Sequence, residues 1–262
     1  MFSTRLASAL VLAPLALAAA WLGPPYLSGL VLVAAAGMGW EWQRLATPHS
    51  RGVGLLILAA ILVPLALMLG GASRVALLLA VLGAGAVWAG AGRRGKAALW
   101  AALGTLWIAL ACLAFLSIAE GPSGRGAVFW LFAIVWATDC GAYVAGRGLG
   151  GPLLAPRISP RKTWAGLAGG LAAAAAVGLV AAGLAGRGAA LLVSVALAIS
   201  IAAQLGDLAE SLAKRHFGVK DSGSLIPGHG GFLDRLDGML TASALQFLLA
   251  CAVGESATAW RF

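Results

Sequence analysis

Long apolar runs dominate this sequence, and they decide what the chain can fold into. A helix that crosses a bilayer needs about 20 mostly apolar residues. Of the 262 residues, 61% are hydrophobic and only 10% are charged, which is more apolar surface than a soluble core can bury. We therefore predict an all-α, polytopic integral membrane helix bundle with about nine transmembrane helices: Leu6–Leu22, Tyr26–Trp42, Gly52–Gly70, Val75–Ala91, Ala97–Ala119, Ala127–Gly146, Trp164–Ala185, Ala189–Ser211 and Gly238–Val253.

The apolar segments also bound the domain organisation. They show no sustained alternation of apolar and polar residues, so a β-barrel is not expected. The first segment follows Arg5 as a signal peptide would, but it is long for one and a second span follows at once, so we expect it to be retained. We expect one transmembrane domain over residues 1–262. Residues 1–125 would supply apolar spans, and 126–262 the spans and cytoplasmic loops of the active site.

The basic residues predict the orientation of the chain. Across nine spans, fourteen of the eighteen Lys and Arg residues fall on one side, and four fall on the other: Arg74, Arg125, Arg187 and Arg261. The positive-inside rule then predicts a cytoplasmic N-terminus. It also explains the net charge of +9 better than a nucleic-acid surface does, so no nucleic-acid partner is expected. The cysteines, which predict neither a zinc site nor a disulfide framework, are Cys112, Cys140 and Cys251.

Acidic residues are concentrated near the C-terminus. The run QLGDLAESLAKR places four polar residues on one helix face, at i, i+3, i+4 and i+7: Asp207, Glu210, Ser211 and Lys214. A carboxylate inside an apolar run is costly unless it is paired, which favours a functional role for Asp207. For Glu210, an ion pair with Lys214 is an equal alternative. Outside this stretch, pairing with a basic residue such as Arg44 is the expectation for Glu41, with contact to the site as the alternative.

The stretch KDSGSLIPGHGGFLDRLDG, residues 220–238, is unusually polar for this chain. Asp234 and Asp237 stand three residues apart where the ninth segment begins. One aspartate there serves as a helix cap, and the second is in excess. With Asp207 they would supply the hard oxygen ligands that Mg²⁺ prefers. The glycines around His229 let the backbone approach a ligand closely. The alternative for the glycines is a mobile loop, and the alternative for His229 is an ordinary loop histidine.

A second polar loop, GRGLGGPLLAPRISPRKTWAG, precedes the seventh segment. Basic residues and hydroxyls just before a helix N-terminus predict a phosphate clamp, built from Arg147, Arg157, Ser159, Arg161, Lys162 and Thr163. Binding of anionic lipid headgroups is the alternative. Asp139, in the preceding span, is either a functional carboxylate or one half of an ion pair with Arg147. Together the acids and bases indicate phosphoryl or nucleotidyl transfer, with a transporter or a CTP-dependent polyprenol kinase as rivals.

Residues 211–238, SLAKRHFGVKDSGSLIPGHGGFLDRLDG, resemble the signature of the phosphatidate cytidylyltransferases, or CDP-diacylglycerol synthases. That signature reads S-x-x-K-R-x4-K-D, a short spacer, then P-x-H-G-G-x-x-D-R-x-D, and every one of its defined positions is present here. ISPRKTWAG and DCGAY also resemble the family. The motifs therefore extend from Asp139 towards the C-terminus, while the first half resembles the family only as a set of apolar spans.

The resemblance implies Mg²⁺-dependent transfer of CMP from CTP to phosphatidate, which gives CDP-diacylglycerol and pyrophosphate in phospholipid biosynthesis. It implies metal ligation by Asp207, Asp234 and Asp237, with Glu210 as a further candidate, and allows a second cation. Catalytic roles are expected for Asp207, Lys214, Arg215, Asp221, His229, Asp234, Arg235 and Asp237. Substrate contacts are expected from Asp139, Ser159, Arg161, Lys162, Thr163 and Lys220.

The expected setting is the cell inner (plasma) membrane, with a multi-pass chain whose active site faces the cytoplasm. The partners would be CTP, phosphatidate and the lipid bilayer. Spacings such as Gly166–Gly170 bring small residues onto one helix face, which allows pairing in a homodimer.

The predicted topology places Phe262 outside the cell. A reporter that is active only in the cytoplasm should therefore be inactive when fused at Phe262 and active when fused in the loop that contains Arg157. Activity at Phe262 would contradict the predicted orientation.

Overall fold

The computed structural model describes residues 2–92, 95–185, 188–228 and 230–253. Within these residues the chain forms nine α-helices and one two-stranded sheet. The helices are α1 Phe2–Leu22, α2 Tyr26–Ala46, α3 Arg51–Leu69, α4 Ser73–Gly90, α5 Lys96–Glu120, α6 Gly124–Leu149, α7 Trp164–Ala185, α8 Ala189–His216 and α9 Leu233–Val253. The strands are β1 Leu153–Ala155 and β2 Ser159–Thr163.

Each predicted apolar segment coincides with one of these helices, so the prediction of a nearly all-α chain is confirmed. Several helices extend past the apolar runs. α8 continues to His216 and α9 begins at Leu233. The reason is that a helix continues through polar residues as long as its backbone hydrogen bonds are satisfied. The short antiparallel sheet is the departure from the all-α prediction.

Membrane-spanning character is clear for a subset of the helices. Six helices in the described part of the chain are long and apolar enough to cross a membrane: Arg51–Leu69, Ser73–Gly90, Lys96–Glu120, Gly124–Gly148, Trp164–Ala185 and Ala189–His216. Large apolar side chains such as Leu55, Val144 and Leu184 are exposed, as expected where lipid is the solvent. The count of nine spans and the cytoplasmic N-terminus stay predictions.

Backbone contacts group the chain into two compact units, each assembled from two segments. The first unit comprises Met1–Leu116 and His216–Leu236, and the second comprises Ser117–Arg215 and Asp237–Phe262. The boundaries fall within α5, near the end of α8 and within α9. The expected single transmembrane domain, divided near residue 125, stays a prediction.

The first unit is built on packing between successive helices: α1 with α2, α2 with α3, and α3 with α4. Its core includes Ile57, Ile61 and Leu65, all from α3 and all fully buried. The Trp42 indole N–H of α2 donates to the Ala101 carbonyl of α5 over 3.0 Å. A buried indole needs such an acceptor, so this bond orients α2 against α5.

The second unit depends on close helix contacts and on polar bonds between helices. A Cβ atom added at Gly169 of α7 would lie 2.6 Å from the Gly141 carbonyl oxygen of α6, so only glycine allows this approach. Thr138 of α6 donates to Ser200 of α8 over 2.8 Å. Gln246 of α9 donates to the Ala127 carbonyl of α6 over 3.0 Å. These buried bonds set the order of α6, α8 and α9 where the hydrophobic effect cannot, because lipid is as apolar as the helices.

The close approach of α6 and α7 predicts that Gly169→Ala destabilises the protein. The added methyl group meets backbone, so it should lower the free energy of unfolding by about 1–3 kcal/mol. Gly183→Ala is the matched control, since it lies on the same helix with open space around it and gains the same helix propensity. Thermal unfolding of the detergent-purified variants measures both. Equal stability of the two variants would contradict the tight contact.

Candidate active site

The predicted phosphate loop folds into a β-hairpin that leads directly into α7. Leu153 pairs with Thr163 and Ala155 with Ser159 in the antiparallel ladder. The Thr163 hydroxyl accepts from the Gly166 amide over 3.0 Å, which makes Thr163 a side-chain cap at the start of α7. The hairpin thus brings the predicted phosphate-binding residues next to a helix N-terminus, where backbone N–H groups favour anions.

Two contacts attach this hairpin to the end of α8. Lys162 of β2 forms an ion pair with Asp207, with Nζ 2.7 Å from Oδ2. Arg215 donates from Nε to the Ile158 carbonyl in the hairpin turn over 3.2 Å. The sequence predicted functional roles for all of these charged residues separately. The structure brings the hairpin and the end of α8 together within the second unit.

The predicted polar face of α8 is present. Ser211 Oγ lies 3.5 Å from Asp207 Oδ1, one helical turn away. Lys214 forms an ion pair with buried Glu210, which is the alternative that the i,i+4 spacing left open. The ion pair offsets the free-energy cost of burying the Glu210 charge, because a buried carboxylate requires a partner.

Asp237, just before the predicted ninth span, lies among other acids of the second unit. Burial raises the pKa of the Asp237 carboxyl, and the negative charges of Asp207, Glu210 and Asp139 raise this pKa further. The Gly238 amide donates to Asp237 over 2.7 Å and opposes the increase. This accumulation of like charge favours a nearby cation, because a cation would stabilise the ionised form of Asp237.

The signature loop, residues 217–232, joins α8 to α9 and is held by carboxylates of the first unit. Oδ2 of Asp234 accepts from the Ser222 amide at 3.0 Å, the Ser222 hydroxyl at 2.9 Å and the Gly231 amide at 2.8 Å. Glu41 of α2 accepts from the Phe232 and Leu233 amides. Asp234 therefore holds loop backbone that precedes α9, and both of its predicted roles, helix cap and metal ligand, stay predictions.

Other predicted site residues are exposed or have local partners. Arg147 donates to the Tyr143 hydroxyl over 2.6 Å. The exposed residues are Asp139, Arg161, Arg215, Lys220, Asp221 and Arg235, while Ser159 is half-buried. His229 lies outside the described residues, so its predicted role stays a prediction.

Carboxylate oxygens are the hard ligands that Mg²⁺ prefers. In residues 2–92, 95–185, 188–228 and 230–253, no three His, Cys, Asp or Glu side chains converge so as to enclose a metal ion by themselves. Mg²⁺ is commonly held by one or two carboxylates together with water and substrate phosphates. The carboxylates of Asp207 and Asp237, close enough for Asp207 to raise the pKa of Asp237, fit that mode of binding.

Two residues around the signature loop, Glu41 and Ser222, were not among the predicted site residues. Glu41 is 2% exposed, and within the described chain its partners are backbone amides and Ser222 rather than the expected Arg44. Its position at the end of an apolar run was the only sequence signal. Ser222 lies within the quoted signature but not at one of its defined positions, so no pattern singled it out.

The apolar helical fold and the charged groups at the hairpin and α8 define an α-helical membrane protein equipped for chemistry on phosphates. Comparison with known proteins makes this specific. The profile of the Cytidylyltransferase family matches residues 3–252. The chain therefore belongs to the cytidylyltransferase family, and it is a nucleotidyltransferase enzyme. The predictions of the family and of an enzyme are confirmed, in place of the transporter that the sequence left open.

The chain is similar to several proteins named phosphatidate cytidylyltransferase. It is 41% identical to that of Brucella suis over 261 residues, covering 96% of this chain and 94% of the relative. It is 34% identical to that of Pseudomonas aeruginosa over 284 residues, covering 98% and 100%. A shorter match, 45% identical over 130 residues, relates it to that of Bacillus subtilis and covers 47% of each chain.

The Lys162–Asp207 ion pair predicts a measurable coupling between the hairpin and α8. In a double-mutant cycle of Lys162→Gln and Asp207→Asn, we expect a coupling of about 0.2–1 kcal/mol in unfolding free energy. The pair is partly exposed, so high salt should reduce the coupling. In the control cycle, Arg161→Gln, a change at the exposed neighbour on β2, replaces Lys162→Gln. An equally large coupling between Arg161→Gln and Asp207→Asn would contradict a specific pair of Lys162 and Asp207.

Proposed function

We propose that this enzyme is a phosphatidate cytidylyltransferase, which transfers CMP from CTP to phosphatidate. A phosphate oxygen of the lipid would attack the α-phosphorus of CTP. The new P–O bond forms as the bond to the β-phosphate oxygen breaks, giving CDP-diacylglycerol and pyrophosphate. The full-length similarity to relatives of that name supports the substrates. The observation that carries the chemistry is the joining of the basic hairpin to acidic α8 through Lys162 and Asp207.

The residues of the second unit would supply most of the positioning. The ion pair with Asp207 holds Lys162 at the hairpin, and its ammonium group would neutralise a phosphate that replaces this carboxylate as its partner. The amides at the start of α7 follow directly, and helix N-termini favour phosphate oxygens. Because the lipid phosphate is already ionised, little proton transfer is needed. The catalytic contribution is then orientation and charge neutralisation.

Within the second unit, Asp207 and Asp237 would hold Mg²⁺, with Glu210 as a further candidate. When bound, Mg²⁺ would neutralise triphosphate charge and polarise the reacting phosphoryl group. Asp234 as an additional ligand, and a second cation, remain proposals from sequence. Lys214, Arg215, Lys220 and Arg235 would neutralise charge on the nucleotide or the lipid phosphate, while Asp221 and His229 would order the loop or contact the nucleotide.

The proposed location is the inner (plasma) membrane of the cell, with the reaction at the cytoplasmic face. The lipid bilayer would deliver phosphatidate, and CTP would come from the cytoplasm. The concentration of basic residues in the loops predicted to be cytoplasmic supports this orientation.

The proposed reaction is tested with purified enzyme, labelled CTP, phosphatidate and Mg²⁺. We expect labelled CDP-diacylglycerol and free pyrophosphate, with the activity abolished by EDTA and restored by Mg²⁺. Release of CDP with phosphorylation of an added polyprenol would instead indicate a kinase. Undiminished turnover in EDTA would contradict the metal requirement.

The carboxylates of the second unit provide a sharper test. Asp207→Asn and Asp237→Asn should each lower kcat by about 100-fold or more, because each removes charge needed to hold the metal and the phosphates. Glu120→Gln is the control, since Glu120 is exposed at the end of α5. Thermal unfolding should show that each variant is folded. Near-normal Mg²⁺-dependent activity in both Asp variants would refute their assignment.

A further inference from the structure

The carboxylate of Glu41 lies against the start of α9, although it belongs to α2. Its Oε1 accepts from the Phe232 amide over 2.9 Å, and its Oε2 accepts from the Leu233 amide over 3.0 Å. The first amides of a helix have no partner within the helix and are normally satisfied by a residue just before it. Here a side chain from a distant helix provides that cap.

Ser222 joins Glu41 to Asp234. Its hydroxyl lies 3.2 Å from Glu41 Oε2 and 2.9 Å from Asp234 Oδ2. A serine hydroxyl carries one proton, so it donates to one carboxylate at a time and shares its bond between the two. We call Glu41, Ser222 and Asp234 the carboxylate clasp. The clasp holds the signature loop at Ser222 and at its last residue, Phe232, and it also holds Leu233, the first residue of α9.

Two glycines allow the loop backbone to reach the clasp. A Cβ atom added at Gly223 would lie 2.6 Å from Glu41 Oε1. A Cβ atom added at Gly231 would overlap both Glu41 carboxylate oxygens and the Ser222 hydroxyl. The backbone of the loop is therefore in close contact with Glu41 at both glycines. A larger residue at either position would collide with the Glu41 carboxylate.

Other contacts of α2 follow the same loop. The Phe232 ring packs against Gly37, one helical turn before Glu41, where an added Cβ atom would lie 2.6 Å from the ring. Trp42 meets Phe217 edge to face, with the ring centroids 5.7 Å apart. Thus α2 contacts the signature loop at both of its ends, and Glu41 lies between these two aromatic contacts.

We propose that Glu41 is a positioning residue for nucleotidyl transfer, acting through the carboxylate clasp on the signature loop. The inference rests on the proposed function. Lys220 and Asp221 immediately precede Ser222, and Arg235 immediately follows Asp234. Fixing Ser222 and Asp234 therefore fixes the backbone that carries these charged side chains. Displacement of such groups by about 1 Å lowers rates by about 100-fold.

The chemistry of Glu41 makes Glu41→Gln an informative variant. Glutamine keeps the size of the side chain but replaces one acceptor oxygen by an NH₂ donor, which would face an amide donor of the loop. Glu41→Asp keeps both acceptors on a side chain shorter by one methylene. We expect kcat/KM to fall by about 10–100-fold in Glu41→Gln, and to be partly restored in Glu41→Asp. Glu120→Gln, at an exposed position, should match the wild type.

Hydrogen–deuterium exchange of the full-length, detergent-purified enzyme provides a readout independent of turnover. In Glu41→Gln, amides across residues 222–233 should exchange faster, while α3 and α7 should exchange at wild-type rates. Should Glu41→Gln fail to fold, Ser222→Ala replaces it, because it removes only the shared hydroxyl and should give a smaller change in the same direction.

The outcomes separate this proposal from the proposed function. Faster loop exchange together with lower kcat/KM, and partial rescue by aspartate, supports the positioning role. Unchanged loop exchange overturns it, whatever the activity, and so does faster exchange with undiminished kcat/KM. If the wild-type enzyme makes no CDP-diacylglycerol, the proposed function fails, whereas exchange in the loop still decides whether Glu41 holds it.

Discussion

The buried carboxylate of Glu41 is the interaction on which the arrangement of the signature loop depends. An ionised carboxylate removed from water is strongly destabilising unless hydrogen bonds compensate it. Glu41 obtains them from the Phe232 and Leu233 amides and from Ser222. In return, those amides gain the acceptor that the start of α9 lacks. Without these amides the Glu41 carboxylate would lack hydrogen-bond donors, and without Glu41 the amides would lack an acceptor. The position of α2 and that of the loop therefore depend on each other.

A different balance of charge organises the second unit. Burial raises the pKa of Asp237 and neighbouring carboxylates raise it further, while Lys162 and Lys214 offset the charges of Asp207 and Glu210. An arrangement of this kind suits substrates that bring both a metal ion and several phosphate charges. Lysine ammonium groups and carboxylates can then exchange partners without a large change in net charge.

The apolar part of the molecule serves these charged groups by holding their helices in place. In lipid, burial of apolar surface does not favour one helix arrangement over another, so small residues and specific polar bonds do. The contact of Gly141 with Gly169 and the bond from Thr138 to Ser200 act in this way on α6, α7 and α8. Because α7 begins at the hairpin and α8 carries Asp207, this packing bears directly on the candidate site.

The sequence by itself determined the helices, the membrane character, the family and most of the charged residues near the site. It could do so because apolar runs of sufficient length and an i, i+3, i+4, i+7 pattern are local properties. The ion pair within α8, between Glu210 and Lys214, was likewise accessible from spacing alone. The resemblance of residues 211–238 to a known signature then supplied the chemistry.

Only the tertiary structure decided which of these residues meet. The hairpin between α6 and α7, the pairing of Lys162 with Asp207, and the capping of α9 by Glu41 all join segments with no shared local pattern. The bond from Ser222 to Glu41 spans 181 positions. A contact of that length depends on how several helices pack, and the sequence around Glu41 reads only as an acid at the end of an apolar run. Its role depends on the Phe232 and Leu233 amides, which only the fold places next to it.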